Sequence, residues 1–168
     1  MKAKTAIKKS TMKPGSGKTW TDKVNDPSKK HVVKKLDKDF ADMSAGCKML
    51  IATPAIIDAY VRQIPRGKSS TLKTLRQDLA TEYRADYTCP VTSGIFLRIV
   101  AEAAHEQWKK GAPLKSIAPF WRIVEETSPL NNKFSFGATF VKTQRKREGI
   151  LSEEKAKKMK ARPGVTSG

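Results

Sequence analysis

Thr53-Pro54-Ala55-Ile56-Ile57-Asp58-Ala59-Tyr60-Val61-Arg62-Gln63-Ile64-Pro65-Arg66-Gly67-Lys68-Ser69-Ser70-Thr71-Leu72 is the stretch on which the reading of this chain turns. Thr53 is an N-cap residue type, and Pro54 follows at the first helical position, where its missing N–H costs nothing. Ile56, Ile57, Tyr60, Val61 and Ile64 then recur at helical spacing, which predicts a helix to about Gln63. Pro65 and Gly67 stop it. Ser70 or Thr71 caps a second helix, whose apolar face carries Leu72, Leu75, Leu79 and Tyr83. Its opposite face carries Lys73, Arg76 and Gln77, which can meet phosphates.

Further along, a loop from about Arg84 to Val91 contains Cys89-Pro90 and leads to Thr92 as the cap of a third helix, Ser93 to Lys109. Ile95, Ile99 and Ala103, with Phe96, Val100 and Ala104 beside them, form its expected buried stripe. Arg98, Glu102, His105 and Gln107 fall outside that stripe, which makes this the candidate recognition helix. Gly111 and Pro113 end it. Ile117 to Glu126 reads as a strand or extended loop, and Ser128-Pro129-Leu130-Asn131-Asn132 as a turn, the usual form of a wing. A short helix is expected over Gly137 to Lys146, packing Phe140 and Val141, and Lys155 to Arg162 is expected to be helical only against a partner. The fold class is therefore mainly α: a winged helix-turn-helix domain over residues 48–150. Disordered basic tails, 1–45 and 151–168, flank it, with Trp20 an isolated anchor or stacking residue in the first.

Charge follows the same division. The chain of 168 residues carries +18, with eleven Lys and no Arg against two Asp in residues 1–35 and nine basic against three acidic residues in 142–168. The middle, 36–141, holds only +3. Basic ends around a moderately charged core suit a polyanion, because each Lys that neutralises a phosphate releases condensed counterions; the alternative is a solubilising tail. The longest apolar stretch, Met49 to Ile57, is interrupted by Thr53-Pro54 and too short to span a membrane. Met1 to Gly17 lacks the apolar core of a secretory signal. Two cysteines, Cys47 and Cys89, are too few for a disulfide framework and suit a reducing cytoplasm.

Ile64-Pro65-Arg66-Gly67-Lys68 and Ala118-Pro119-Phe120-Trp121-Arg122-Ile123-Val124 together resemble the two ends of the DNA-binding domain of the alkylguanine-DNA alkyltransferases, the methylated-DNA–protein-cysteine methyltransferases. The resemblance runs from about Thr53 to Ile150. In that family the second segment is Pro-Cys-His-Arg-Val-Val or -Ile, and its cysteine takes an alkyl group from a guanine flipped out of the duplex. Phe120 stands in the cysteine slot and Trp121 in the histidine slot. Two aromatic rings cannot replace an activated thiolate, so the resemblance implies a non-catalytic DNA binder of the alkyltransferase-like type, which recognises damaged or flipped bases without repairing them. Gly67-Lys68-Ser69-Ser70-Thr71-Leu72 matches the step into the family's helix-turn-helix, with Leu72 in place of a tyrosine that helps rotate the target nucleotide. Gly111-Ala112-Pro113 matches the Gly-Asn-Pro hinge, with Ala112 for the asparagine. Ser93 and Arg98 are the candidates for the arginine that fills the hole left by the flipped base. Arg147-Glu148-Gly149 matches the closing Glu-Gly, whose glutamate normally supports the histidine, so Glu148 is expected to have no triad to serve.

The implied DNA-binding set is Lys68, Ser70, Thr71, Lys73, Arg76, Ser93 and Arg98. Pro119, Phe120, Trp121 and Arg122 form the implied base-pocket loop, in which the two rings are either a stacking platform for an extruded base or plain core. The implied partner is duplex DNA, alkylated or mismatched, with repair proteins beside it, for a monomeric, nucleoid-associated protein that needs no cofactor. Two alternatives stand beside this reading. One is a divergent methyltransferase using Cys89, which precedes a helix N-terminus; the other is a nucleoid-type protein binding DNA or RNA with little sequence preference. His31 and His105 lie far from any Cys at metal-ligand spacing, so no metal site is expected. Gly15-Ser16-Gly17-Lys18-Thr19 lacks the spacing and preceding strand of a phosphate-binding loop and reads as a linker.

Overall fold

The computed structural model describes residues 13–160. The flanking parts of the two expected tails, 1–12 and 161–168, lie outside the described residues. About half of the described chain is helical, and a small three-stranded sheet completes a mixed fold.

The two helices read from the opening stretch form as their caps dictate. α2 (Pro54–Arg62) starts with the Thr53 side chain accepting from Ile56 N, and α3 (Leu72–Glu82) with Thr71 Oγ1 accepting from Thr74 N at 3.1 Å. Ile57, Val61, Leu75 and Leu79 are buried, as the periodicity requires. Burying each such side chain stabilises the fold by about 1.5–3 kcal/mol.

The third helix, α4 (Pro90–Lys109), begins earlier than expected. Cys89 and not Thr92 is its N-cap, Pro90 occupies the first position, and Ser93 is turned inward with its Oγ donating to Cys89 O at 2.6 Å. α4 is the central helix of the core and is surrounded on nearly every side between Leu97 and Ala104. Arg98 and Glu102, expected outside, are therefore buried, whereas Ile95, expected inside, is exposed. Glu102 is satisfied by Ser135, whose N and Oγ donate at 2.7 and 2.6 Å.

Residues 13–45 are not the uniform tail expected. α1 (Trp20–Val24) has a complete capping box between Thr19 and Asp22, and Val24 enters the main core. Glu106 of α4 receives Trp20 N, Thr21 N and Thr21 Oγ1 at 3.2, 3.3 and 2.9 Å, so one carboxylate ties this helix to the domain. β1 (Val32–Lys35) pairs antiparallel with β2 (Lys48–Ile51), Val32 opposite Ile51 and Lys35 opposite Lys48. β2 pairs parallel with β3 (Tyr87–Thr88). The domain thus takes in residues that the lysine-rich composition assigned to the N-terminal tail.

The wing does not form as expected. Phe120–Arg122 and Pro129–Lys133 are 3₁₀ turns in place of a strand and its hairpin turn, and a further one spans Leu114–Ser116. α5 (Thr139–Glu148) ends at Gly149 in the left-handed region (φ 69°), and α6 (Glu153–Lys160) lies over the second basic segment. No helix among the described residues is long and apolar enough to cross a membrane.

Against α4 and α5 lies an aromatic cluster. Phe120 stacks on Phe140 at 5.6 Å, Phe134 on Phe136 at 4.8 Å, and Phe136 on His105 at 4.0 Å. His105, expected on an exposed surface, is half-buried here. Burial, aided by Lys109, holds its pKa below the usual histidine value against the opposing pull of Glu102. Its folded pKa being lower than its unfolded one, its contribution to stability is full above the ordinary value of 6.5 and falls as pH drops through the folded value. His105→Phe is expected to flatten the stability profile over that window, as measured by urea melts at stepped pH.

Candidate nucleic-acid interface

Glu148, at the end of α5, joins three segments that are far apart in sequence. Its carboxylate accepts from Gly67 N at 3.1 Å, Trp121 Nε1 at 3.0 Å, and Arg122 Nε and Nη2 at 2.9 and 2.8 Å. The Arg122 fork is bidentate, the geometry that makes Arg–carboxylate pairs both strong and directional. Its remaining nitrogen, Nη1, donates to Ile64 O at 2.7 Å, and Arg122 O accepts from Ser70 N at 2.8 Å. The turn at Phe120–Arg122 is thereby fixed to both ends of the α2–α3 loop. Gly67 makes this approach with φ 77°, where an added Cβ would be strained and would meet Glu148 O at 3.4 Å. Burial tends to raise the Glu148 pKa, but the bonds from Arg122, Gly67 and Trp121 outweigh it and hold the carboxyl below its ordinary value.

Glu148 is thus not idle: Trp121 supplies an N–H donor to it. Arg145 secures the same turn from behind. It is 1 % exposed, and its Nη1 donates to Trp121 O at 2.8 Å and to Val124 O at 3.3 Å. The expected helix over Gly137 to Lys146 named only Phe140 and Val141 as packing, and Arg145 was counted only among the basic residues of 142–168. The signal was present in the spacing, since Phe140, Val141, Gln144, Arg145 and Glu148 share one helical face.

No family model, curated protein or solved structure matches the chain. Lys68 and Lys73 are exposed on the α2–α3 loop and the first turn of α3, one on either side of the Thr71 cap. Arg76, half-buried one turn on, has its Nε buried with no hydrogen-bond partner. Lys73, Arg76 and Gln77 line a hollow of about 250 Å³ with Asp42, Asp86 and Tyr87. Ser70 and Thr71 are half-buried and act as loop anchor and cap.

The other expected contacts are placed elsewhere. Ser93 and Arg98, at 0 % and 5 % exposed, cannot reach a base without moving α4. Arg98 was read as outward because the apolar run of α4 fits more than one helical stripe, and Ser93 was a candidate only through the resemblance. Pro119, Phe120 and Trp121 are buried, and Phe120 has rings of Phe134, Phe136 and Phe140 within 6 Å, centroid to centroid. The space that the base-platform reading needs is filled by the chain's own aromatics. Cys89 is also buried, in a small cluster with Leu36, Met43 and Met49, which gives the displaced-nucleophile alternative no accessible thiol. Among the described residues no group of His, Cys, Asp or Glu is arranged to hold a metal.

Proposed function

We propose that this protein is a non-catalytic duplex-DNA-binding protein of the alkyltransferase-like type that meets DNA through the α2–α3 loop and the first turns of α3, with α4 as the core helix behind them. The observation that carries the reading is the carboxylate of Glu148, which receives Gly67 N, Trp121 Nε1 and the Arg122 fork. These residues belong to three of the segments in which the sequence resembles the alkyltransferase DNA-binding domain, and Trp121 takes the place of the histidine as the donor to the closing glutamate. A framework that positions the α2–α3 loop is retained while the nucleophile and its base are gone. Phosphates are met by Lys68 and Lys73, with Arg76 beside them and the lysine-rich segments adding counterion release. Any preference for damaged DNA comes from how the duplex deforms over this surface, because Phe120 packs as core and Arg98 is buried.

Lys68→Glu together with Lys73→Glu is expected to weaken binding to a short duplex about tenfold or more at moderate salt. The magnitude of the slope of log K against log salt should fall by about 2. Fluorescence anisotropy over a salt series reads both quantities. Both side chains are exposed, so the thermal melt should not move. An unchanged slope would remove this face from the interface. Deleting residues 1–35 is unsuitable as a companion test, since it strips Val24 from the core and Thr21 from Glu106.

A further inference from the structure

An apolar cleft lies away from the α3 face. It has a volume of about 440 Å³ and is closed on one side by residues 14–30, on the other by β2, the start of α2 and the face of α4 that carries Phe96 and Ile99. Its floor is apolar: Ile51, Ala52, Pro54, Phe96 and Ile99. Its rim carries Lys18, Lys23, Lys29 and Lys30 against a single acid, Asp26. Asp26 accepts from Ser28 N and Oγ at 3.0 and 2.6 Å and pairs with Lys18 at 3.9 Å, and Lys23 lies over the Trp20 ring at 5.3 Å. The positive charge here belongs to the lysines and not to the end of α2, because Pro54 has no N–H and Thr53 already caps Ile56.

We propose that this cleft binds a nucleoside monophosphate, with the base against Phe96 and the apolar floor and the phosphate among Lys23, Lys29 and Lys30. Its volume is in the range of small-ligand sites. An aromatic floor accepts the face of any base, and few polar groups line it, so the site holds bases without distinguishing them. Three net positive charges on the rim favour a phosphate dianion over a single carboxylate. The lysine-rich segment, which composition assigns to a general polyanion arm, forms one wall of a defined site. The cleft is separate from the α3 face, so a free nucleotide can enter whether or not that face holds DNA.

Titration of the full chain with deoxyadenosine 5′-monophosphate, followed by ¹⁵N–¹H spectra, is expected to shift the amides of Ala52, Thr53, Phe96 and Ile99 saturably. Deoxyadenosine and inorganic phosphate, which each carry half of the ligand, should bind about tenfold more weakly or less. Lys23→Glu with Lys30→Glu should abolish the nucleotide's advantage over the nucleoside. Phe96→Leu, which keeps an apolar side chain in place, should weaken the nucleotide and leave inorganic phosphate unchanged. A 5′-phosphorylated trinucleotide that binds at least tenfold tighter than the mononucleotide would identify the ligand as a strand end; equal affinity would identify it as free nucleotide. Octanoate binding as tightly as the nucleotide would overturn the proposal in favour of an acyl-anion site. Nucleotide-induced shifts absent from these amides would overturn it outright.

Discussion

Glu148→Ala is expected to destabilise the protein by about 3–5 kcal/mol, the cost of leaving one member of a buried ion pair without its partner. The side chains of Arg122 and Glu148 are 15 % and 8 % exposed, so water cannot readily replace the lost carboxylate. Trp121 Nε1 and Gly67 N lose their acceptor at the same time. Urea denaturation measures the loss, and a cycle with Arg122→Ala should show strong coupling, the double variant being far less destabilised than the sum of the two. Additive effects would mean that the carboxylate is not what holds the turn. The same group sets an acid limit. Its folded pKa is depressed, so its contribution is fully present above the ordinary value of 4.5 and is lost as pH falls through the folded value. Glu148→Gln should therefore lose stability at neutral pH and show a shallower decline below about pH 4.5 than the parent. Because the carboxylate positions the α2–α3 loop, Glu148→Gln should also weaken duplex binding under conditions where it remains folded.

Phe120→Ala is expected to cost about 3–5 kcal/mol, as deletions of large core aromatics do, and to weaken binding to alkylated and undamaged duplexes equally. Phe120 is fully buried and touches Trp121, Phe134, Phe136 and Phe140, so its removal opens a cavity inside the domain. A selective loss on the alkylated duplex, with the melting temperature preserved, would show instead that the ring meets an extruded base. Phe120→Cys supplies a second readout. The new thiol sits where the native side chain has no exposure, and Trp121 offers it no base. It should stay unreactive toward a water-soluble disulfide reagent until the protein unfolds, and no alkyl group should pass to it from labelled DNA.

Local signals in the chain were sufficient for α2 and α3. Thr53-Pro54 and Thr71 are caps whose effect is decided within one turn, and Ile57, Val61, Leu75 and Leu79 face the core because a helix has only one way to bury them. Net charge and the absence of an adjacent Cys-His pair were equally legible, being properties of composition and order alone. The start of α4 was not, since Cys89-Pro90 and Thr92 are both acceptable beginnings, and it is Cys89 that long-range contacts hold, its N donating to Leu50 O at 2.8 Å and its side chain packing with Leu36, Met43 and Met49. Which of Arg98, Glu102, Arg145 and Arg147 would be buried also lay beyond local pattern. A charged side chain enters a core only where distant groups satisfy it, as Ser135 does for Glu102 and the carbonyls of Trp121 and Val124 do for Arg145. The same holds for α1, whose lysine-rich surroundings hid one buried valine and three hydrogen bonds to Glu106. Sequence by itself determined the helices whose apolar spacing and caps are local, and the charge. Tertiary structure alone decided that Glu148 would gather Gly67, Trp121 and Arg122, and that Phe120 would fill its own pocket, because both depend on contacts between residues far apart in the chain.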